Sequence, residues 1–447
     1  MLELQTEKKT KIYVEGHGCS ASLADTEILS GLVLQGGFEL VDTETEADLS
    51  VLVTCSVKSV TEQRMLSRIR DLSSLEGKRL VVAGCLSKSE PEKILRINPN
   101  LSLLGPGNLD RILPAISDTL SGRQLIATES SKLVKLGMPR TRKNDVIGIV
   151  EIASGCLSSC TFCQVKLVKG TVFSYPEADI ASEAAALVAQ STKEIWLTST
   201  DNSAYGSDSR TNLAKLLKKV CEIEGDFKVR AGMMNPLLTG RMLDELIDAF
   251  KHEKMFKFLH LPVQSGSGRI LKEMRRGYSL KAFYETLDRF RSEIPRLTLS
   301  TDMICGFPSE TESEFQESLE LLRQSKPDVV NISRFGARSG TRAAVMEDQI
   351  SAEISKDRSS RMTTLVKQIS TRNNSEWIGW EGEILVDEIG KGALIGRNFA
   401  YKPCVVKEDE LNGKKEEFLG KSLRVRVVDS TASTLRTILI PENGPGG

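Results

Sequence analysis

Short apolar runs alternate with amphipathic stretches along the first quarter of the chain. Three β-rich runs, at residues 11–14, 48–53 and 78–83, are separated by segments whose apolar positions carry helical spacing. Alternation of strands and helices predicts a parallel α/β sheet. We place this N-terminal domain at residues 10–122.

The same alternation continues through the middle of the chain, in residues 146–372, with six further strand-like runs and helical stretches between them. Six β/α units are too few for a closed eight-stranded barrel and predict an open or partial (β/α)6 barrel. The chemistry of such barrels lies on the loops that follow the strands. The six runs are 146–152, 194–198, 228–232, 257–263, 297–304 and 328–333.

Residues 377–441 change character, because short strands with Gly turns replace the helical spacing. This pattern predicts a small β-barrel, so the whole chain is of the α/β class with an all-β module at its end. The charges of the module balance, and a folding or lid role is the alternative to RNA binding.

The stretch between the first two domains, residues 123–145, is locally basic, and Pro139 disfavours a helix there. We expect a solvated linker rather than a dedicated RNA contact. Its basic residues include Lys132, Lys135, Arg140, Arg142 and Lys143.

Composition narrows the function only by exclusion. Among 447 residues, 60 Lys and Arg balance 60 Asp and Glu, so net charge gives no argument for nucleic-acid binding, although local patches could still bind. The first residues are charged and lack the apolar segment of an export signal. No apolar run approaches the ~20 residues of a membrane span, so we expect a soluble, cytoplasmic protein with no membrane partner.

Three cysteines follow the first strand of the predicted barrel in the spacing C-x3-C-x2-C: Cys156, Cys160 and Cys163. Three thiolates in one loop can hold three irons of a [4Fe–4S] cluster. Such clusters normally take four Cys ligands, so a missing fourth suggests a place for another molecule to bind. A structural zinc site is the alternative, but zinc usually takes four ligands, and none of the three His is near this loop.

Three more cysteines, Cys19, Cys55 and Cys85, each follow one of the first three predicted strands. The carboxyl ends of parallel strands meet at one edge of a sheet, so these thiols can converge although they are distant in sequence. Neighbouring glycines, Gly16, Gly18 and Gly84, suit tight turns and close backbone approach. The remaining thiols, Cys221, Cys305 and Cys404, are expected to have no role.

The C-x3-C-x2-C loop is the pattern of the radical S-adenosylmethionine (SAM) enzymes, and nearly the whole chain resembles their methylthiotransferase family. That family has an N-terminal three-cysteine domain, a radical SAM barrel and a C-terminal TRAM-type barrel. The matching strings are GC with ADTE near Cys19, TCSV at Cys55, GC at Cys85, SGCLSSCTFC, SYP, EIWLTS with AYG, GMMNP, HLPVQSGS and DMICGFPSET.

The resemblance is strongest to the archaeal and eukaryotic branch that modifies N6-threonylcarbamoyladenosine (t6A) in tRNA. KEIWLTS, GMMNP and the compact TRAM-type module favour this branch. It implies conversion of t6A beside the anticodon, at position 37, to its 2-methylthio derivative. Alternatives are the branches that modify prenylated adenosine in tRNA or an aspartate of a ribosomal protein, and, more remotely, a non-catalytic iron–sulfur protein that binds RNA.

Two [4Fe–4S] clusters and SAM are the cofactors that the resemblance implies. Cys156, Cys160 and Cys163 would hold the cluster that cleaves SAM to a 5′-deoxyadenosyl radical, which takes hydrogen from C2 of the adenine. The N-terminal cysteines would hold an auxiliary cluster carrying the sulfur, which another SAM methylates. The partners would be tRNA, an electron donor and a sulfur donor, while the donors' identities, the particular tRNAs and the oligomeric state are not encoded in recognisable motifs.

The chain departs from the family pattern at three positions. Ser22 and Val53 stand where the family usually has Asn, and Lys169 stands where it usually has Arg. The two Asn would hydrogen-bond near the auxiliary cluster, so their replacement is expected to change its surroundings rather than its ligands.

Further site residues follow from the resemblance, each with a plainer alternative. Phe162 resembles the aromatic residue that lies against adenine, or it packs in the core. Asp201 and Asn202 follow a barrel strand and could touch substrate. Arg275 and Arg276 could face phosphate, although solvent is favoured.

Two other segments are candidates for holding SAM. Gln264, Ser265, Gly266 and Ser267 open a predicted helix, whose exposed N–H groups could hold the SAM carboxylate or a phosphate, unless they form an ordinary helix cap. The segment from Gly306 through Phe307 and Pro308 to Glu310 resembles the one that flanks adenine, with a turn and helix start as the alternative. No general base is expected to be essential, because the cofactors supply the difficult chemistry.

Overall fold

A computed structural model describes residues 9–56, 59–411 and 413–440. The N-terminal domain is a six-stranded, fully parallel sheet in the order β2-β1-β3-β4-β5-β6. Its strands are β1 (Lys11–Gly16), β2 (Glu39–Val41), β3 (Leu49–Thr54), β4 (Arg79–Gly84), β5 (Ser102–Leu104) and β6 (Ile126–Ala127). The first three predicted strands are therefore confirmed as β1, β3 and β4.

Helices cover both faces of this sheet, which is why its inner strands are apolar without interruption. Alternate residues serve two separate cores: Val51 and Val53 of β3 face one, whereas Leu52 faces the other. The helices are α1 (Ser20–Gln35), α2 (Ser59–Ser73), α3 (Cys85–Ser89), α4 (Pro91–Ile97) and α5 (Ile112–Leu120).

The stretch 123–145 is built into the structure rather than free in solvent. Its residues Ile126 and Ala127 form β6 and complete the N-terminal sheet. Lys135 is 3% exposed, and Arg140 donates to the Ile149 carbonyl at 2.7 Å and pairs with Glu183. The expectation of a solvated linker is therefore wrong for these two cations, because carboxylates of the adjoining domains neutralise them.

The central domain confirms the predicted partial barrel of six β/α units. Its two parallel sheets, β11-β10-β7 and β12-β13-β14, are joined by backbone hydrogen bonds from Phe256 to Val229 and from Met234 to His260, both at 2.9 Å. The strands are β7 (Ile147–Glu151), β10 (Glu194–Thr198), β11 (Lys228–Ala231), β12 (Phe258–His260), β13 (Thr298–Cys305) and β14 (Val329–Arg334), with a small ribbon of β8 (Ala153–Ser154) and β9 (Phe173–Ser174).

Helices cover the outside of this barrel and bury the largest apolar core of the molecule between themselves and the strands. Cys221 and Cys305 are free and buried. The helices are α6 (Val165–Lys169), α7 (Glu177–Ala189), α8 (Leu213–Cys221), α9 (Pro236–Arg241), α10 (Leu243–Lys251), α11 (Gly268–Glu273), α12 (Leu280–Glu293), α13 (Glu312–Ser325) and α14 (Ala352–Ser375).

The C-terminal module is a closed five-stranded barrel in the order β15-β16-β17-β19-β18, which confirms the predicted small β-barrel. Residue 441, where its predicted range ends, lies outside the described residues. Cys404 is buried in its core. The strands are β15 (Glu381–Gly390), β16 (Ala393–Arg397), β17 (Pro403–Lys407), β18 (Ser422–Ser430) and β19 (Leu435–Leu439).

This β-barrel docks on the lower end of the central domain, where the strands begin. Lys257, just before β12, donates its N–H to the Phe399 carbonyl at 2.8 Å, and Lys402 pairs with Asp328, just before β14, at 2.6 Å. Asn144, before β7, donates to the Asp387 carbonyl at 2.8 Å. In the described part of the chain, every helix is too short or too polar to cross a lipid bilayer.

Candidate active site

Both cysteine sets open onto one cavity between the N-terminal domain and the upper end of the central barrel. The cavity has a volume of about 440 Å³. Five of the six predicted cysteine ligands line it: Cys19, Cys85, Cys156, Cys160 and Cys163. Cys55 lies behind Cys19, 3% exposed, and hydrogen-bonds to it.

Two glycines allow the three strand-end cysteines to converge. Gly18 has φ +127°, and a Cβ there would lie 2.3 Å from the Cβ of Cys55. Gly84 has φ +96°, and its Cβ would lie 2.4 Å from the Thr54 carbonyl oxygen. Only glycine fits such positions, so the sequence forces the turns after β1 and β4 against the end of β3.

The thiols of this set differ in their surroundings. The hydrogen bond from Cys55 lowers the pKa of Cys19 well below its usual value, against the opposing effect of burial. Burial raises the pKa of Cys85 to about 11. Ser22, which replaces the usual Asn, keeps a polar contact, since its Oγ lies 3.6 Å from the Sγ of Cys19.

The second set is shaped by its own loop. The N–H of Cys156 donates to the Gly170 carbonyl at 3.1 Å, and the N–H of Cys163 donates to the Cys160 carbonyl at 3.2 Å. Gly155 has φ +76°, and a Cβ there would lie 2.1 Å from the Thr171 carbonyl oxygen. The loop is therefore held together by contacts of its own backbone.

Donors point at the sulfurs of this second set. The Val165 N–H lies 3.4 Å from the Sγ of Cys163, and Arg276 Nη1 lies 3.3 Å from the Sγ of Cys160. Burial raises the pKa of Cys156 to about 12 and that of Cys163 to about 11. Free thiols here would stay protonated, so a metal centre is what would make them thiolates.

The donor chemistry fits an iron–sulfur cluster at each set. Across residues 9–56, 59–411 and 413–440, no group of three or more Cys, His, Asp or Glu side chains is arranged to hold one metal ion. Each set instead brings three thiols together at the cavity, with Cys55 behind Cys19, and thiolates are the ligands that hold the irons of such a cluster. The N–H and guanidinium donors at the second set are of the kind that tune such clusters.

A buried ion network connects the N-terminal domain to the barrel beside the first cysteine set. Lys135 Nζ lies 2.6 Å from Asp25 Oδ1, on α1, and 3.1 Å from Glu151 Oε2, on β7. Lys169, which lines the cavity, lies 3.5 Å from Glu151 Oε1, and Tyr175 donates to Oε2 at 3.3 Å. Although burial opposes the charge, Glu151 raises the pKa of Lys169, so the ammonium stays beside the cysteines.

Four of the other predicted site residues line the same cavity: Phe162, Asp201, Gln264 and Arg276. Phe162 lies at its wall and also packs against a small apolar cluster around Phe307. Gln264 lines it with φ +79°, a conformation that costs a residue other than glycine on the order of 1–3 kcal/mol. Asp201 lines it and accepts the Asn235 N–H at 3.2 Å, and burial raises its pKa.

Asn202 and Ser265 stand behind the wall. Asn202 is fully buried and donates to the Leu197 carbonyl at 2.8 Å, which fixes the loop after β10. Ser265 accepts the N–H of Ser267 at 3.2 Å, and the Gly266 N–H donates to the Ser318 hydroxyl at 2.9 Å. The expectation of exposed N–H groups there is wrong, because these amides already have partners.

Gly306 and Glu310 form a turn outside the cavity lining. Glu310 accepts the Gly306 N–H and a bond from Arg358 Nη1, both at 2.8 Å. Arg275 is exposed, as predicted. The prediction that Arg276 faces solvent is wrong, because this side chain is 6% exposed and lines the cavity. Arg275 has φ +55°, and this turn of the backbone sends the two neighbouring side chains in opposite directions.

The barrel interior adds polar residues that the sequence reasoning missed. Most of them could have been found in the sequence as polar residues within otherwise apolar parallel strands. At such a position the side chain points into the barrel interior, where an apolar core residue would otherwise lie. His260 and Asp302 lie 3.4 Å apart, and Asn331 donates to Asp302 at 2.7 Å. The missed cavity residues on the barrel strands include Trp196, Thr198, Arg230, His260, Asp302 and Asn331.

Both domains that carry the predicted cysteine ligands match known protein families. Residues 150–322 match the Radical SAM superfamily, and residues 11–105 match the family described as "Uncharacterized protein family UPF0004". A radical SAM domain implies SAM and one [4Fe–4S] cluster. A solved radical SAM methyltransferase, TsrM from Kitasatospora setae, shares the fold at a TM-score of 0.54 and 14% identity, over 76% of this chain and 75% of that one.

Full-length relatives give the closer resemblance. The chain is 40% identical over 426 residues to the "Probable threonylcarbamoyladenosine tRNA methylthiotransferase" of Pyrococcus horikoshii, covering 94% of this chain and 98% of that protein. It is 33% identical over 431 residues to the Homo sapiens "Threonylcarbamoyladenosine tRNA methylthiotransferase", covering 94% and 72%. The chain therefore belongs to the threonylcarbamoyladenosine tRNA methylthiotransferase family of radical SAM enzymes.

Proposed function

We propose that this protein adds a methylthio group to C2 of N6-threonylcarbamoyladenosine at position 37 of tRNA. Two sets of three cysteines at one cavity, five of them in its lining and Cys55 behind Cys19, carry the proposal. One cluster site would be enough to cleave SAM, whereas a second site in the same cavity gives the sulfur a place from which to reach the same substrate atom. The names of the archaeal and eukaryotic relatives support t6A in tRNA as the substrate.

Each cysteine set would hold one [4Fe–4S] cluster. When bound, the cluster at Cys156, Cys160 and Cys163 would supply the electron that cleaves SAM, and the cluster at Cys19, Cys55 and Cys85 would supply the sulfur site. Arg276 contributes a fixed positive charge against the Sγ of Cys160. Lys169 contributes another beside the first set, since the ion network holds it in place.

The remaining residues of the cavity orient the substrate and exclude water. Asp201 is held by Ser203 and by the Asn235 N–H, so its second carboxylate oxygen remains for a ligand. Phe162 and Trp196 give apolar surface that a purine ring can lie against. A tRNA substrate also favours the cytoplasm as the location, with electron and sulfur donors supplied there.

The proposal is tested by mass spectrometry of nucleosides from tRNA. Anaerobically reconstituted protein receives SAM, a reductant, a sulfide source and tRNA that carries t6A. The expected result is the 2-methylthio derivative of t6A together with 5′-deoxyadenosine. Formation of 5′-deoxyadenosine without the modified nucleoside would reject t6A as the substrate, and modification of tRNA with prenylated adenosine, or of a ribosomal protein, would identify the alternative branches.

A further inference from the structure

Arg230 is an arginine inside the barrel that has no anionic partner among the described residues. It lines the cavity from the middle of β11, level with Trp196 of the neighbouring strand β10. In residues 9–56, 59–411 and 413–440 its guanidinium forms no ion pair and no hydrogen bond, and its Nε is buried without a partner. A buried donor without a hydrogen-bond partner lowers the stability of the fold, so we expect a bound molecule to accept a hydrogen bond from this guanidinium.

Three aromatic rings hold this guanidinium in place. Its Cζ lies 4.6 Å from the ring centre of Trp196, 5.2 Å from that of Phe258 and 5.1 Å from that of Tyr401, which comes from the C-terminal β-barrel. Aromatic rings stabilise a cation without using its N–H donors. The side chain is therefore fixed and partly dehydrated while its donors stay free.

The other cations that line the cavity are already engaged. Lys169 faces Glu151, Arg338 lies 2.8 Å from Glu62, and Arg276 donates to the Pro262 carbonyl at 2.9 Å as well as approaching Cys160. Arg338 Nη2 is also buried without a hydrogen-bond partner, but its charge is neutralised by Glu62. Arg230 differs from these three cations because, among the described residues, its charge faces only aromatic rings. Arg230 pairs with Trp196, which pairs with Ile149 of β7, so it lies level with the middle of that strand. The loop of the second cysteine set follows the end of β7, so Arg230 lies deeper in the barrel than that loop.

We infer that Arg230 binds the carboxylate of the threonylcarbamoyl group, and so selects t6A against adenosines whose N6 substituent is uncharged. The inference rests on the proposed function. A planar guanidinium is the side chain best matched to a carboxylate, which it can bind through two hydrogen bonds. A prenyl group offers no charge, so this one residue would separate the two kinds of modified adenosine.

The test combines a change in the enzyme with a matching change in the substrate. The substrates are an anticodon stem-loop RNA that carries t6A and the same RNA with the threonine carboxylate capped as a methyl ester. The enzymes are the wild type, R230Q, R230K and, as the control, R296Q. Arg296 also lies over a ring, 4.7 Å from the centre of Trp377, but it is outside this cavity.

For the wild type, capping the carboxylate should lower kcat/KM and the affinity of iron-loaded protein for the RNA by about 30-fold or more. On the RNA with the free carboxylate (the acid RNA), R230Q should show a decrease in kcat/KM and affinity of the same size. It should not discriminate between this RNA and the methyl ester RNA. R230K should lie between the wild type and R230Q, and R296Q should match the wild type. Binding and reductive cleavage of SAM without RNA are measured in every variant, and R296Q should match the wild type in both.

Three results would overturn the inference. Equal handling of acid and ester RNA by the wild type would do so even if R230Q failed to fold, because that comparison needs no variant. Equal losses on both RNAs in folded R230Q would make Arg230 a purely structural residue, and weakened SAM binding would make SAM its anion. Absence of product from the acid RNA, with 5′-deoxyadenosine still formed, would instead reject the proposed function on which the inference rests.

Discussion

The two cysteine sets reach the same cavity by different structural routes. Cys156, Cys160 and Cys163 lie in one loop that its own backbone hydrogen bonds and Gly155 hold together. The set of Cys19, Cys55 and Cys85 exists only when β1, β3 and β4 pair in register, and a buried ion network lies beside it. The geometry of the loop set depends on residues within the loop itself. The geometry of the set at the strand ends depends also on residues far from any cysteine, because strand pairing and domain packing bring its three thiols together.

Loss of one ligand from each set should separate the two sites most clearly. We expect C160A to abolish both 5′-deoxyadenosine and the modified nucleoside, because the SAM-cleaving cluster loses a ligand. C55A should abolish the nucleoside while 5′-deoxyadenosine continues to form. Liquid chromatography with mass spectrometry measures both products, and a C55A protein that still methylthiolates would remove the N-terminal set from the reaction.

Breaking the ion network should be the next largest effect. K135M leaves Asp25 and Glu151 buried without their shared cation, which should cost about 3–5 kcal/mol in the free energy of unfolding. The control is K132M, whose exposed ammonium lies 5.4 Å from the ring centre of Phe173 and should contribute within about 0.5 kcal/mol. Urea titration measures both variants, and similar midpoints for the two would contradict the network's role.

Close packing at Gly18 should matter more than its backbone conformation alone. G18A places a Cβ against Cys55 and should cost more than the ~1–2 kcal/mol of a left-handed residue, with loss of iron from the N-terminal set. G37A isolates the conformational part, because Gly37 has φ +83° with no atom within 4 Å of its Cβ position. Iron analysis and thermal unfolding compare them, and equal behaviour would mean that close approach to Cys55 is unimportant.

The smallest expected effect is at Ser22. S22A removes a hydroxyl 3.6 Å from the Sγ of Cys19 and should change stability by about 1 kcal/mol or less. If the N-terminal set holds the proposed second cluster, the electron paramagnetic resonance spectrum of that cluster after reconstitution should nevertheless shift, because polar contacts to cluster sulfurs tune it. An unchanged spectrum would show that Ser22 does not take over the position where the family usually has Asn.

The sequence predicted the architecture because apolar periodicity and strand–helix order are local signals. The six barrel strands and β1, β3 and β4 all lie where their apolar runs indicated. The short strands β5 and β6 carry too few residues for periodicity to mark them. From the sequence alone, Lys135 is predicted to be a solvated cation. Its carboxylate partners Asp25 and Glu151 belong to two different domains, and only the packing of these domains brings both to Lys135.

The candidate site was predictable in its cysteines and much less so in its other residues. Spacing identified one set, and the rule that parallel strands end at one edge identified the other. Arg276 and Arg230 could not be separated from solvated arginines by sequence alone. For Arg276 the deciding factor is the left-handed turn at Arg275, and for Arg230 it is which side of β11 faces inward.

The docking of the C-terminal β-barrel also has a consequence for stoichiometry. Tyr401 lies against Arg230, and its ring lies 4.8 Å from that of Phe256, so this barrel supports a residue of the cavity wall from behind. A reaction through carbon radicals yields one product per SAM cleaved to 5′-deoxyadenosine only while the cavity excludes other C–H and S–H hydrogen-atom donors. The ratio of 5′-deoxyadenosine to modified nucleoside would therefore report on how firmly this distant module is seated.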